Sequence, residues 1–211
     1  NKTGTITKNK MTVVNVYLTE LKDLKEWNEN EKTMLLYFAT CCDASISFED
    51  GKEVRIGDPT ELALLDANNL YGVKTVLNRV LDLPFDSDRK LMTTVVEING
   101  KYLAITKGAP DIVISRSINN QDLLDKALEA NNTMATNAIR VLALGIKWFD
   151  SLPDTEVLEQ NMEFIGLIGM IDPARDEVKD AIAVANNAGI STVMITGDHV
   201  TTAKAIALQL G

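Results

Sequence analysis

The 211-residue chain predicts an α/β fold of the α+β kind, a mainly antiparallel sheet with flanking helices followed by a shorter parallel α/β unit. Three observations carry this. Leu91 to Ile98, the dipeptide Asn99-Gly100 and Lys101 to Thr106 make a hairpin pattern, because Asn-Gly is the favoured pair for a type I′ turn. Met34, Leu35, Tyr37, Phe38, Cys41 and Cys42 recur at helical spacing and mark a core-facing helix ending near Asp43. At Glu163 the pattern changes to strand, helix, strand, helix, the signature of a parallel sheet.

The chain opens on Asn1-Lys2-Thr3-Gly4-Thr5-Ile6-Thr7. Backbone N–H groups, hydroxyls and a Lys charge in such a loop suit a phosphate, and a disordered start is the plain alternative. Residues 11–18 have the β-branched content of a strand, and 19–30 are polar and acidic around Trp27. After a turn at Glu49-Asp50-Gly51, the segment Asp58-Pro59-Thr60-Glu61 opens a second helix through about Asn69. Asp58 suits the N-cap, Pro59 the first helical position and Glu61 the third, the arrangement of a capping box, so Glu61 is a cap residue, a ligand contact or both.

Residues 79–85 read as a strand ending at Pro84-Phe85, followed by the charged run Asp86-Ser87-Asp88-Arg89-Lys90. The hairpin's second strand leads into Lys107-Gly108-Ala109-Pro110, where a glycine allows close backbone approach. Residues 121–139 are patterned as a helix, with a break around Asn131-Asn132 as one option, and Arg140 to Phe149 as a strand. Phe164 to Ile171 is an almost continuous apolar strand closed by Asp172-Pro173-Ala174-Arg175. A helix over 176–188 stops at Gly189, a buried strand spans Ile190 to Ile195, and the loop Thr196-Gly197-Asp198 precedes a helix over 200–210. Asp172 and Asp198 thus fall at the ends of successive parallel strands, where each is a helix cap or an organiser of Mg²⁺ and phosphate.

Composition narrows the function classes. The net charge of −9 disfavours nucleic acid or an anionic membrane surface as partner, while leaving room for ATP at locally placed Lys and Arg. No apolar run reaches 18 residues and the start lacks a signal-peptide pattern, so direct membrane insertion by this segment is not expected. Cys41 and Cys42 are too few for a disulfide framework or a zinc site and read as buried thiols in a reducing compartment. His199 is the only histidine, which removes chemistry built on a His cluster.

Seven segments occur in one order: Asn1-Lys2-Thr3-Gly4-Thr5, Asp58-Pro59-Thr60-Glu61, Phe85-Asp86-Ser87-Asp88-Arg89-Lys90, Lys107-Gly108-Ala109-Pro110, Arg140-Val141-Leu142, Asp172-Pro173-Ala174-Arg175 and Thr196-Gly197-Asp198. In this order the chain resembles the P-type cation-transporting ATPases, and around Cys42-Asp43-Ala44-Ser45 and Phe85 to Met92 it is most like the bacterial calcium-transporting type. The resemblance implies a nucleotide-binding domain, residues 17–162, inserted into a partial haloacid-dehalogenase-like phosphorylation domain, residues 1–16 and 163–211. It implies ATP and Mg²⁺ as cofactors, ATP or ADP and the remainder of the pump as partners, and a place on the cytoplasmic face of a membrane-embedded parent.

The residue roles implied are equally specific. Phe85 stacks on adenine, with a core Phe at a strand end as the plain alternative, and Lys90 and Lys107 line the pocket. Gly108 admits the base, Glu61 bonds the adenine side, Arg140 contacts the phosphates, and Arg89 and Ala109 belong to the same nucleotide-binding set. Lys2, Thr3, Thr196, Gly197 and Asp198 surround the γ-phosphate, with Thr3 toward Mg²⁺ through its backbone, and Asp172 and Arg175 form a hinge. At position 1 the family's phosphorylated aspartate is replaced by Asn1, and a carboxamide offers no competent attacking oxygen. The family's later Mg²⁺ segment lies beyond Gly211, so nucleotide binding without a phosphoenzyme is the expectation. A haloacid-dehalogenase-type phosphatase and a non-catalytic interaction domain stand as alternatives.

Overall fold

The computed structural model describes residues 2–23, 26–197 and 200–211, apart from the side chain of Thr201. In chain order the elements are β1 (Thr12–Tyr17), β2 (Leu21–Asp23), α1 (Glu29–Thr40), β3 (Ser45–Glu49), β4 (Lys52–Ile56), α2 (Pro59–Tyr71), β5 (Arg79–Asp86), β6 (Leu91–Ile98), β7 (Lys101–Gly108), α3 (Pro110–Ser115), α4 (Gln121–Thr136), β8 (Arg140–Phe149), β9 (Glu163–Ile171), α5 (Asp176–Asn187) and α6 (Val200–Leu210). Seven strands form one sheet in the order β2-β1-β9-β8-β7-β6-β5, every neighbouring pair antiparallel. The Asn99-Gly100 turn has both residues at positive φ, 52° and 78°, as a type I′ turn requires.

Helices cover both faces of the sheet. Met34, Leu35 and Phe38 of α1 and Leu64 of α2 pack with Met92, Leu103, Ile105, Leu144 and Ile168 on one face. Val113 and Ile114 of α3 and Leu124, Ala127 and Met134 of α4 pack with Leu91, Ala143, Phe164 and Leu167 on the other. Alternate residues of each strand therefore go to different helix pairs. Asn28 caps α1 in a reciprocal box, accepting from Glu31 N while Glu31 accepts from Asn28 N.

This double cover corrects the reading of residues 163–171. β9 was expected in a parallel sheet, yet it runs antiparallel between β8 and β1. Its continuous apolar run reflects burial on both faces, which any middle strand of a covered sheet shares with parallel strands. A division at Glu163 thus passes through the sheet. The strand expected at 190–195 does not form, and Val193 is 81% exposed. Among the described residues the single parallel pairing is an isolated bridge between Ser117 and Met162.

Smaller differences follow from local chemistry. α4 continues unbroken through Asn131 and Asn132, since its apolar stripe faces the sheet regardless of them. The β3–β4 hairpin was not foreseen because its residues are mostly exposed and carry little apolar alternation. β5 is an edge strand of the sheet, with Pro84 near its end and register breaks after Arg79 and Leu83. Among the described residues no helix is long and apolar enough to cross a membrane.

Candidate functional site

Four elements converge at one end of the sheet, on the face covered by α1 and α2. The start of α2 brings Asp58, Thr60 and Glu61, the end of β5 and the turn after it bring Phe85 and Lys90, the end of β7 brings Lys107 and Gly108, and the start of β8 brings Arg140, Val141 and Leu142. With Asp43, Ala44, Gly57, Met92, Ala109 and Pro110 they line a cavity of ≈ 630 Å³. This is within the size range of pockets that hold small molecules, and its walls combine apolar side chains with a few placed charges.

Lys107 is the most buried charged residue lining this cavity, 6% exposed. Its ammonium lies 2.8 Å from Glu61 Oε1 and 3.0 Å from Met92 Sδ. Burial opposes the charged ammonium, but Cys41, Cys42 and Glu61 outweigh it and leave the pKa raised. Burial also pushes the Cys41 thiol up to about 11 and Cys42 well above its ordinary value, so near pH 7 both thiols are neutral and the Glu61 carboxylate supplies the countercharge.

Glu61 does not close the capping box expected at the start of α2. Its Oε2 accepts from the backbone N–H groups of Asp43 and Ala44, each at 2.9 Å, across the cavity wall. A partner 18 residues away in sequence wins over the local cap because it brings two donors where the cap offers one. Asp58 does cap α2, accepting from Thr60 N at 2.8 Å and from the Thr60 hydroxyl. Burial would raise the Asp58 pKa, but Thr60's two bonds, the Glu61 N–H and the Arg140 charge together hold it below the ordinary carboxylate range.

Phe85 is 62% exposed, so the core alternative is overturned and its ring stands open at the cavity. Lys90 has φ of 57° and lines the cavity. Arg89 does not line it: its Nε lies 3.1 Å from Glu159 Oε2 and its Nη2 2.7 Å from Pro84 O. Gly108 is at the wall, but a Cβ there would meet Lys90 O at 2.3 Å and Leu91 Cδ2 at 2.7 Å. The glycine is thus demanded by the β5–β6 turn packed against it, before any ligand is considered. Gly57, with φ of 121°, is held by a similar close approach to Ala44 Cα, and its position just before the Asp58 cap was the signal by which sequence reasoning could have found it.

A second cavity of ≈ 600 Å³ adjoins the first through Arg140 and includes Lys2, Thr3, Lys10 and Asp172. Asp172 neither caps α5 nor stands free: it accepts from Thr7 Oγ1 at 2.5 Å and Lys10 N at 3.0 Å. Arg175 donates to Gly4 O at 3.2 Å through Nη2 and to Ile6 O at 2.8 Å through its backbone N–H. Lys2 N donates to Ile195 O at 3.0 Å, which brings the first loop beside Thr196 and Gly197. Asn1 and Asp198 lie outside the described residues. Among the described residues no three His, Cys, Asp or Glu groups gather to hold a metal ion.

A sequence-family model for the cytoplasmic domain N of P-type ATPases matches residues 30–177. Similar proteins include the calcium-transporting ATPase 1 of Bacillus cereus, 42% identical over the whole of this chain and 26% of that protein, and a calcium-transporting ATPase of Listeria monocytogenes, 39% identical over all of this chain and 26% of that protein. The calcium-transporting ATPase of Bacillus subtilis is 39% identical over all of this chain and 28% of that protein. The chain thus spans about a quarter of the length of these relatives. This chain belongs to the P-type ATPase family, with residues 30–177 corresponding to its cytoplasmic domain N.

Proposed function

We propose that the cavity between α2 and the β5–β8 end of the sheet binds ATP or ADP, and that the chain is the nucleotide-binding portion of a calcium-type cation pump. The observation that carries this is the pairing of an exposed aromatic, Phe85, with Lys90, Lys107 and Arg140 around one largely apolar cavity. Adenine stacks on the Phe85 ring and contacts Met92, Val141 and Leu142, the apolar part of a purine site. Glu61 meets the purine edge through lone-pair capacity that its three donors leave unused. The phosphates run toward Arg140, which the second cavity shares, and so toward Lys2 and Thr3.

In the parent, the nucleotide's γ-phosphoryl group passes to an aspartate and drives cation transport. Here Asn1 stands at the acceptor position, and we assign this chain nucleotide binding without phosphoenzyme. The first loop and the residues after β9 form the partial phosphorylation unit, joined through Asp172 and Arg175. The test is an ATP titration followed by NMR amide shifts. Phe85→Ala and Lys107→Ala each weaken binding, and unchanged affinity in both variants would overturn the site.

A further inference from the structure

A buried carboxylate with two arginine partners lies behind the cavity, on the face of the sheet covered by α3 and α4. Glu159, in the connection between β8 and β9, is 5% exposed. Its Oε2 accepts from Arg89 Nε at 3.1 Å and lies 3.7 Å from Arg116 Nη1, and its Oε1 accepts from Thr93 Oγ1 at 3.0 Å. Thr93 is in turn 2.8 Å from Thr106 Oγ1.

Arg89, Thr93 and Thr106, though not Arg116, are each a chain neighbour of a cavity residue. Arg89 precedes Lys90 in the β5–β6 turn and also grips the turn from within, donating to Pro84 O beside Phe85. Thr93 follows Met92 on β6, and Thr106 precedes Lys107 on β7, with Met92 and Lys107 paired across the two strands. Since successive residues of a strand point to opposite faces, fixing Thr93 and Thr106 on one face sets where Met92 and Lys107 stand on the other.

We propose that Glu159 is a positioning residue for the cavity: one buried carboxylate, through Arg89 and the Thr93–Thr106 pair, fixes both the turn that carries Phe85 and Lys90 and the strand end that carries Lys107. The inference rests on the nucleotide reading for its ligand, and on the geometry alone for its mechanical part. Glu159 never touches the nucleotide. The carboxylate holds a guanidinium and a hydroxyl at once, one on each oxygen, and an amide in its place presents N–H groups to one of them. Arg89→Lys is the milder probe, because an ammonium keeps the charge but cannot span Glu159 and Pro84 with a planar fork.

The experiment measures ATP affinity and nucleotide-free amide shifts for the unsubstituted chain, Glu159→Gln, Arg89→Lys and a control, Ala130→Gly, which weakens α4 on the same side of the sheet without touching the network. Glu159→Gln and Arg89→Lys weaken ATP binding by about 3–10-fold under conditions where every variant is folded, a range set by the loss of one charge-assisted bond. They also move the amide signals of Phe85, Lys90 and Lys107 before any nucleotide is added, whereas Ala130→Gly lowers the melting temperature and leaves affinity unchanged. Equal affinity in Arg89→Lys and the unsubstituted chain, with unmoved signals at those three residues, overturns the positioning role and leaves the nucleotide reading standing. Absence of ATP binding by the unsubstituted chain at millimolar concentration overturns the nucleotide reading itself.

Discussion

Lys107 and Glu61 meet at 2.8 Å with side chains only 7% and 13% exposed, one from the end of a strand and the other from the first turn of a helix 46 residues earlier. The pair ties α2 to the sheet at the cavity wall. It also leaves Lys107 fully charged at the bottom of an apolar pocket, where a free ammonium would be costly.

Removing one member should therefore cost more than removing both. Glu61→Gln strands the ammonium and should destabilise the chain by about 3 kcal/mol, the usual scale for breaking a buried pair from one side. The Lys107→Met, Glu61→Gln double variant should recover part of that loss. Urea unfolding of the two single variants and the double variant checks this, and additive losses would contradict it.

Alkaline pH should unfold the chain over a defined window. Cys41 keeps its proton in the folded state up to about 11 against an ordinary 9.0, and Lys107 is raised as well. Between those values the folded state binds more protons than the unfolded one, so stability is whole below pH 9 and falls as pH rises toward 11. Each such group contributes at most about 1.4 kcal/mol per pH unit. Cys41→Ala should flatten the slope in a series of unfolding curves, and at pH 8 neither thiol should react with a disulfide reagent until denaturant is added.

Gly108→Ala should act through the turn. An added Cβ meets the Lys90 carbonyl at 2.3 Å, a backbone atom with little room to retreat. The expected loss is about 1–3 kcal/mol of stability, as for other overpacked sites, together with weaker ATP binding because Lys90 moves. Calorimetric melting and titration of the same sample test both parts.

What the sequence disclosed follows from the range of the interactions involved. Phe85, Lys90, Lys107 and Arg140 could be grouped from the sequence because each sits in a short motif beside a strand terminus, and these termini meet around one cavity at one end of the sheet. Glu61 was half legible: its place in a helical first turn was plain, but its donors at Asp43 and Ala44 come from a loop that no local pattern joins to it. Arg89 was grouped with the nucleotide contacts because it shares a short motif with Phe85 and Lys90, but its guanidinium is taken by Glu159 and the Pro84 carbonyl, and no local pattern joins Glu159 to that turn. β9 was assigned to a parallel sheet because an apolar run records burial, and burial alone does not distinguish a covered antiparallel strand from a parallel one.

The position of β5 bears on what the molecule offers to a second strand. An edge strand offers a row of unpaired donors and acceptors to any passing strand, and here that row ends beside Phe85, an aromatic left bare at the surface. Pro84 has no N–H to give, and its carbonyl is already taken by Arg89 at 2.7 Å. A second chain approaching along this edge loses its hydrogen bonds at the point where the sticky ring would have rewarded it. The same proline and arginine that shape the turn thus leave Pro84 with no free backbone donor or acceptor to offer a second strand beside the bare ring.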